Sequence, residues 1–390
     1  MRNLLCLLGL TVSLAGAPAD FTVHEWGTFT SVVGSDGQML PGLEVEEEAV
    51  PLFVRGLAGF LPAAKGMPRP VVGCTVKMET PVIYFYADQP LTVRVDVGFR
   101  GGPITQWYPE RSGGEKLPAL PIAPGTLPAA LPPIHLGPNY SGFAHWQVEV
   151  LARDNPLPIS APRALETAQW PRARVAAANR VRNSAGEVEG FIFYRGLGGF
   201  ALPLQVAAPE GVPLLRNTGS QRIPFAFRYE KRAAGEAGMV GWSGSLAAGE
   251  KVAAGVCDPS GSVASAQFLA ETLPHELVRA GLTREEARAM LATWQESYFD
   301  RPGLRIFWIV PRQFTDEILP LSISPRPAKL ERVLVGRTEV LTPAFEAELV
   351  RDFAADGGKR WLGHRYFRAY CERVRQLGGR VDVAPAAPAS

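Results

Sequence analysis

The sequence predicts a mainly β protein with a C-terminal α+β portion, and three observations support this fold class. Between residues 140 and 256, short strand-like runs recur with glycine, proline and asparagine between them, which is typical of a β-sandwich with immunoglobulin-like elements. Residues 304–310 are the most apolar strand candidate of the chain, which indicates a strand buried on both faces. Helical periodicity appears only after residue 262, where we expect about four helices.

Residues 80–99 predict a β-hairpin. Residues 82–86 form one strand, residues 87–90 form the turn, and residues 91–99 form the second strand. Apolar and polar side chains alternate strictly in the second strand, which is the pattern of an antiparallel strand with one buried and one exposed face.

The C-terminal helices are predicted from the residues at their boundaries. Thr283 and Glu286 have the spacing of a capping box, and apolar residues follow them at helical intervals. Another helix is predicted to begin at Pro343 and to end before Gly357. A last helix is predicted over roughly residues 361–377.

Composition divides the chain into segments with different expected structures. They are a signal peptide (1–19), an N-terminal β region (20–108), a proline-rich strap or loop (109–138), a β-sandwich-like region (139–261), an α+β region (262–379) and a disordered tail (380–390). The proline-rich segment contains eight prolines. Because proline lacks an N–H and fixes its own φ, this segment is excluded from central sheet and from helix.

The first residues have the features of a secretory signal peptide. Arg2 gives a basic start, residues 4–15 are apolar, and the small residues that follow predict cleavage after Ala19. The apolar stretch is shorter than the roughly 20 residues that span a bilayer, and no later stretch is long enough. We therefore expect an exported protein, periplasmic or extracellular, with no transmembrane segment in the mature chain.

The charge balance excludes one class of partner. The chain has 390 residues and a formal net charge of +2, without a block of like charges. Nucleic-acid-binding proteins carry a basic patch or stripe that meets the phosphates. We therefore expect no nucleic-acid partner.

Three cysteines follow the signal peptide, namely Cys74, Cys257 and Cys371. Two of them can form one disulfide, which leaves one thiol over, and the alternative is three buried or semi-buried thiols. None of the three has the spacing or the neighbouring histidine of a zinc site.

Polar residues in strand-like stretches are the first candidate functional residues. His24 and Glu25 are neighbours in a strand candidate, so their side chains point to opposite faces. Glu79 leads directly into an apolar run, where a carboxylate needs a partner or a function. His24 and Glu79 are the candidate ligands if the protein holds a metal ion. The alternatives are a hydrogen-bonded structural role for His24 and an ion pair for Glu79.

A second group of candidates follows residues 304–310. Arg312 and Asp316 come after the C-terminal end of this strand candidate, where functional groups are often placed. Arg337 and Glu339 are two residues apart and therefore share one face of an extended segment. These charges either bind a polar ligand or form an ion-pair network between helix and sheet.

No complete catalytic motif is present in the sequence. His275 and Glu276 begin as a zinc-binding helix would, but position 279 is Arg where the second histidine is needed. A nucleophile elbow with the Gly-x-Ser-x-Gly pattern is also missing. The catalytic residues therefore stay unassigned beyond the candidates named above.

Two classes of function fit the sequence. The first is a non-catalytic envelope or extracellular binding protein, in which exposed Trp107 and Tyr108 would bind a carbohydrate or peptide. The second is an exported hydrolase or metal-dependent enzyme that uses His24 or Glu25 with Glu79. The lack of a nucleophile and of a complete set of metal ligands favours the binding protein.

Three widely separated segments resemble those of an uncharacterised family of exported bacterial proteins. They are the His-Glu-Trp-Gly-Thr-Phe stretch that begins at His24, the Lys-Met-Glu-Thr-Pro stretch that begins at Lys77, and the Leu-Val-Gly-Arg stretch that begins at Leu334. The resemblance implies an exported protein of one architecture. It implies no activity, cofactor or catalytic residue.

Overall fold

The structure is a computed structural model, and it describes residues 20–45, 50–57, 70–117, 132–255 and 265–381. The predicted signal peptide, Cys257, residues 118–131 of the proline-rich segment and residues 382–390 of the tail lie outside the described residues. The fold is mainly β, with 37% strand and 22% helix and with the helices mostly in the C-terminal half, which confirms the predicted fold class. Cys371 is a free, buried thiol.

The strands are numbered in chain order: β1 (Thr22–Val33), β2 (Arg55–Gly56), β3 (Val71–Val72), β4 (Val76–Tyr86), β5 (Leu91–Arg100), β6 (Ile104–Tyr108), β7 (Gly113–Gly114), β8 (Ile134–His135), β9 (Ser141–Val150), β10 (Val181–Asn183), β11 (Val188–Glu189), β12 (Ile192–Gly198), β13 (Leu204–Ala207), β14 (Leu214–Asn217), β15 (Ile223–Lys231), β16 (Met239–Leu246), β17 (Lys251–Ala253), β18 (Gly303–Ile309), β19 (Leu321–Ser324) and β20 (Lys329–Val340).

The helices are α1 (Trp170–Ala173), α2 (Ser265–Gln267), α3 (Leu273–Arg279), α4 (Arg284–Trp294), α5 (Arg312–Ile318), α6 (Pro343–Asp356) and α7 (Phe367–Gln376). Short 3-10 turns occupy Arg163–Leu165 and Lys359–Trp361. Two π-helical segments, Phe268–Thr272 and Gln295–Phe299, follow α2 and α4.

A nine-stranded sheet with the order β16-β15-β18-β20-β1-β4-β12-β6-β2 forms the middle layer. β1 lies in its interior, parallel to β20 on one side and antiparallel to β4 on the other. β1 is buried along almost its whole length. The strands of the nine-stranded sheet come from the N-terminal, middle and C-terminal parts of the chain, so the sheet joins all of these parts.

A six-stranded sheet packs against one face of the nine-stranded sheet and forms the sandwich. It has the order β11-β10-β9-β5-β19, with β7 paired to β9. Val95 and Trp146 of this sheet share one core with Phe85 and Ile306 of the nine-stranded sheet. Burying apolar area of this kind stabilises a fold by roughly 25 cal/mol per Å².

The hairpin predicted over residues 80–99 is wrong in its pairing. β4 pairs with β1 and β12 in the nine-stranded sheet, whereas β5 pairs with β9 and β19 in the six-stranded sheet. The short connection between them therefore carries the chain from one sheet to the other. The burial of the strands explains this arrangement: β4 is apolar on both faces and needs a sheet interior, while β5 has one apolar face that packs onto β4.

Helices α1, α3 and α4 cover the other face of the nine-stranded sheet, whereas α5 packs into the core of the sandwich. Met290 and Trp294 of α4 share a core with Trp26 and Phe307 of the sheet. Helices α6 and α7 form a third core at the end of β1. No helix of the described ranges has both the length and the apolar character needed to cross a membrane.

The predicted helix boundaries hold at two helices and fail at the last. Thr283 accepts a hydrogen bond from Glu286 N, which confirms the capping box of α4. Helix α6 begins at Pro343, and Gly357 follows it with a φ of 74° that favours glycine. The last helix begins later than predicted, at Phe367, because a 3-10 turn and a break precede it.

The segment that follows β6 is fixed to the six-stranded sheet. β7 pairs with β9, and the guanidinium of Arg111 lies 3.7 Å from the ring centroid of Trp107. Glu115 accepts a hydrogen bond of 2.9 Å from Ile104 N. Burial raises the pKa of Glu115 to about 7, although the Ile104 N–H and the Arg111 charge act in the opposite direction.

We expect Glu115→Gln to stabilise the protein at pH 8 and not at pH 5. A raised carboxyl pKa means that the folded state binds the proton more tightly, so this contribution to stability is fully present below pH 4.5 and is lost as the pH rises through about 7. Glutamine keeps the acceptor for Ile104 N without the buried charge, so the gain at pH 8 should be ~1 kcal/mol after allowance for partial exposure. Thermal unfolding of the parent and the variant from pH 5 to pH 8 measures this difference in stability.

The exposed Glu210 provides the matched control. Glu210→Gln should change the melting temperature by the same small amount at every pH. A Glu115→Gln protein whose stability relative to the parent does not change with pH would contradict the prediction.

Candidate functional site

A β-bulge in β4 positions the candidate site. Thr80 and Pro81 lie opposite the single residue Gly27 of β1. A Cβ at Gly27 would lie 3.0 Å from Pro81 Cα, so the close approach of the two strands requires glycine. The extra residue exchanges the two faces of the strand, so Glu79 and Val82 both point toward the helices. Thr80 has a φ of 49°, which a β-branched residue rarely adopts.

Glu79 belongs to a buried ionic cluster on the helix side of the sheet. The hydroxyl of Tyr298 donates a 2.5 Å hydrogen bond to Glu79 Oε2, and Thr30 Oγ1 donates another of 3.1 Å. Arg365 Nη2 lies 3.7 Å from Glu79 Oε1. The guanidinium of Arg337 lies 4.1 Å from the ring centroid of Tyr298. The structure therefore brings Glu79 and Arg337 into one cluster.

Glu339 is the second carboxylate of this cluster. Arg305 Nε donates to Glu339 Oε1 at 2.6 Å, and Arg337 Nε donates to the same oxygen at 2.8 Å. Arg337 and Glu339 share one face of β20, as their spacing predicts. Burial acts to raise the pKa of Glu339, but the two guanidinium groups outweigh it and hold the pKa below its ordinary value.

His24 belongs to a separate cluster on the same side of the sheet. His24 Nδ1 lies 2.9 Å from Glu286 Oε2, and the Tyr86 hydroxyl donates to Glu286 Oε1 at 2.6 Å. Burial acts to raise the pKa of Glu286, but the contacts with His24, Tyr86 and Thr283 N outweigh it and lower the pKa. Glu286, which belongs to the capping box of α4, thus also fixes that helix to the sheet.

Glu25 points to the opposite side of the sheet from His24, as predicted. Within the sandwich, Arg332 Nε donates to Glu25 Oε2 at 2.6 Å, and the Tyr194 hydroxyl donates to the other oxygen. Arg332 Nη1 contacts Asp316 at 2.7 Å, and Arg312 Nε contacts Asp316 at 2.8 Å. The candidates Glu25, Arg312 and Asp316 therefore form a chain of charges from the core to the surface, apart from Glu79.

The proposed metal ligands do not meet. His24 contacts Glu286, whereas Glu79 contacts Tyr298 and Thr30 in the other cluster. Within the part of the chain that the structure describes, no group of three or more His, Cys, Asp or Glu side chains is arranged to hold a metal ion.

The expectation that Trp107 and Tyr108 are exposed is wrong. Their exposed fractions are 6% and 2%, because β6 lies inside the nine-stranded sheet between β12 and β2. Trp107 Nε1 donates to Glu110 Oε1 at 3.0 Å, and the Tyr108 ring packs against Phe53 with a centroid distance of 4.7 Å. These two residues do not form an open binding surface.

An aromatic cleft, partly open to solvent, lies on the helix side of the sheet at the bulge. Its lining combines rings with a few polar groups: Trp26, Val50, Pro51, Thr80, Val82, Thr167, Gln169, Trp170, Ala173, Phe191, Phe193, Arg195 and Thr293. The Trp170 ring lies 5.3 Å from Phe191 and 5.0 Å from Phe193 between centroids. Among the described residues, the buried Thr80 Oγ1 has no hydrogen-bond partner.

The sequence patterns did not indicate this cleft, because its residues come from segments far apart in the chain. One pattern pointed to its position. Proline within a central strand is confined to bulges, so Pro81 next to an apolar run indicates an interruption in β4. The partners Glu286 and Tyr298 were visible only as helical residues, since periodicity does not show which strand a helix meets.

Comparison with known proteins adds no relative. No protein-family model matches the chain, and a search of curated proteins finds no match. The resemblance to exported bacterial proteins therefore stays a prediction, and the function has to be argued from the site itself.

We expect Glu339→Gln to lower the free energy of unfolding by about 3–5 kcal/mol at pH 7, because Arg305 and Arg337 lose the buried carboxylate that they share. A lowered carboxyl pKa stabilises the fold above the ordinary pKa of 4.5, and this stability is lost as the pH falls through the folded-state value. The difference between parent and variant should therefore shrink in acid. Denaturant unfolding at pH 7 and in acid measures both effects.

Glu317, an exposed carboxylate of α5, gives the comparison. Glu317→Gln should stay within about 0.5 kcal/mol of the parent. An equally small effect of Glu339→Gln would show that the cluster does not stabilise the fold.

Proposed function

We propose that the protein is an exported, non-catalytic binding protein that holds a small molecule in the aromatic cleft. One observation carries this proposal: rings from several separate elements surround Thr80, whose backbone is left-handed and whose buried hydroxyl lacks a partner in the described structure. Ligand pockets are mostly apolar, with a few polar groups that orient the ligand. The cleft fits this description.

The backbone of Thr80 supports the proposal. A non-glycine residue in the left-handed region costs on the order of 1–3 kcal/mol, and such residues cluster at ligand sites. Glu79, the preceding residue, is held by Tyr298 and Thr30. This anchoring keeps the bulge in place before a ligand arrives, which lowers the cost of binding.

The position of Tyr298 gives further support. It lies in the π-helical segment Gln295–Phe299, and π-helical turns occur frequently at functional sites. Thr293, in the turn of α4 just before this segment, lines the cleft.

The surroundings of Glu79 favour binding over catalysis. A general acid or base has to reach the proton that it transfers. Glu79 is 7% exposed, and its carboxylate is engaged by Tyr298, Thr30 and Arg365. His24, the other candidate, is engaged by Glu286. The polar groups that an enzyme would use are thus occupied by partners within the fold.

We expect the substitution Ala173→Met to weaken the binding of small aromatic molecules at least about tenfold, because the longer side chain fills part of the cleft. Indole, benzamide and benzoate are the probes, and calorimetric titration measures the affinities. Circular dichroism and the melting temperature establish that the variant is folded.

Ala168 provides the matched control, since it is exposed and lies outside the lining of the cleft. Ala168→Met should bind the probes as the parent does. If none of the probes binds the parent, or if Ala173→Met binds them unchanged, the cleft is not the binding site.

Export is tested by the mature N-terminus. Expressed with its own first residues in a Gram-negative host, the protein should reach the periplasm and begin at Asp20, as measured by intact mass. Ala19→Arg should block this processing, because the position before the cut requires a small residue. A periplasmic parent that still begins at Met1, or a parent confined to the cytoplasm, would refute the expected cleavage and export.

A further inference from the structure

We propose that helix α1 is a gate, which closes the cleft in the described conformation and tilts away from helix α4 to admit the ligand. This inference rests on the proposed function and specifies how the same site opens. Three features of the structure carry it: the small free space of the cleft, the irregular segment that contains α1, and the unequal contacts of α1 with the strands and with α4.

The free space in the cleft is too small for a ring-sized molecule. It amounts to about 40 Å³. A water molecule takes about 30 Å³, whereas benzene occupies a cavity of roughly 150 Å³. Trp170 and Ala173 line the cleft from α1, and Thr293 lines it from α4. A larger separation between α1 and α4 would therefore enlarge the cleft directly.

The segment that contains α1 has the features of a lid. Residues 161–178 hold one 3-10 turn and the four residues of α1, and the buried side chains of this segment are those of Ala161, Trp170 and Ala173. Long irregular segments are uncommon in compact domains and often form lids over binding sites. Segments with few buried apolar contacts also open at a lower free-energy cost than the core.

The two ends of this segment are fixed to the strands. Ser160 N donates to Val188 O at 2.9 Å. The Asn179 side chain is bonded to the backbone of Ala87 and Leu151. A movement of α1 is therefore confined to the residues between these two anchors.

Toward the strands, α1 is held by a buried carboxylate. Arg174, the residue after α1, donates to the two oxygens of Glu189 in β11 at 2.8 and 2.7 Å. Trp170 Nε1 donates to the same carboxylate at 3.1 Å. Glu189 is fully buried, so the loss of these charge-assisted bonds would leave a bare charge in the core. These contacts form the pivot about which α1 tilts.

Toward α4, the polar contacts of α1 are exposed. Gln169 Nε2 and Arg172 Nη2 donate to Glu296 at 3.1 and 3.3 Å, and Arg172 Nη1 donates to Ala292 O at 2.5 Å. The Glu296 side chain is 56% exposed. Exposed ion pairs contribute little to stability, because they are screened and have to order two long side chains. The polar contacts to α4 are therefore weaker than those to the strands.

The gate is tested by removing the exposed contacts. Glu296→Ala removes the acceptor that Gln169 and Arg172 share, and it should raise the open fraction about two- to fivefold. The apparent dissociation constant of a ligand that enters only the open form falls by the same factor, whatever the chemistry of the ligand. Calorimetric titration of the full-length mature protein should therefore show indole and benzamide binding more tightly by one common factor. Arg172→Ala also removes the bond to Ala292 O, so it should tighten both further.

Glu271 provides the matched control. It is an exposed glutamate of the other π-helical segment, and it accepts a hydrogen bond of 3.1 Å from Gln267 in its own turn. Glu271→Ala should bind both probes as the parent does.

A second measurement needs no ligand. Thr293→Cys places a thiol in the cleft wall at a position that is 5% exposed. The aromatic disulfide dithiodipyridine is larger than the free space, so this thiol reacts only when the cleft is open. The thiolate attacks the reagent, forms a mixed disulfide and releases one pyridinethione, which absorbance measures. The protein with Thr293 intact gives the reaction of the native thiols. Adding Glu296→Ala should speed the labelling about two- to fivefold, whereas adding Glu271→Ala should not.

The outcomes separate this inference from the proposed function. Labelling of Thr293→Cys that Glu296→Ala leaves unchanged overturns the gate, and the binding cleft stands if the probes bind the parent. Probes that bind the parent but do not tighten by a common factor in Glu296→Ala also overturn the gate, and this result decides if Thr293→Cys does not fold. Faster labelling without binding of any probe to any variant supports the gate and overturns the proposed function.

Discussion

The rest of the structure depends on the burial of β1, which carries polar side chains in the interior of a sheet covered on both faces. Leaving a charge unpaired in such a place costs several kcal/mol, so each charged side chain of the strand needs a partner elsewhere in the fold. His24 is paired with Glu286 of helix α4, and Glu25 is paired with Arg332 of β20. These pairs connect the helices, the middle sheet and the interior of the sandwich through one strand.

The bulge in β4 links this structural constraint to the candidate site. Thr80 and Pro81 add one residue to β4 relative to β1, so the side chains after the bulge change faces. The consecutive residues Glu79 and Thr80 therefore belong to two different sites on the same side of the sheet. Glu79 enters the ionic cluster with Tyr298, and Thr80 lines the aromatic cleft. The ionic cluster therefore serves the cleft indirectly, because it holds the backbone of the bulge in the geometry that places Thr80 there.

Sequence patterns predicted the parts of this protein that depend on neighbours along the chain. The fold class, the strands and the capping box of α4 follow from local periodicity and from the residues at helix ends. The pairing of β4 and β5 was wrong because a short connection fits a hairpin and a crossing between sheets equally well. Alternation identified which residues are buried, but it could not show which sheet covers them.

The candidate charges were identified one by one, but their grouping could not be predicted. Spacing of two residues showed that Arg337 and Glu339 share a face, and adjacency showed that His24 and Glu25 do not. Predicting which charges lie together requires the order of the strands in the sheet, because the sheet brings together residues from distant segments. The aromatic cleft is the extreme case, since its lining comes from β1, β4, β12, α1 and α4.

The parallel pairing of β1 with β20 has a consequence for the order of events during synthesis. Glu25 and Arg332, which are bonded across this pair, are 307 residues apart in the chain. Non-local pairings of this kind give a high contact order, which slows folding and lengthens the time for which apolar surfaces stay exposed to solvent. The central ladder closes only when nearly all of the polypeptide has emerged from the ribosome.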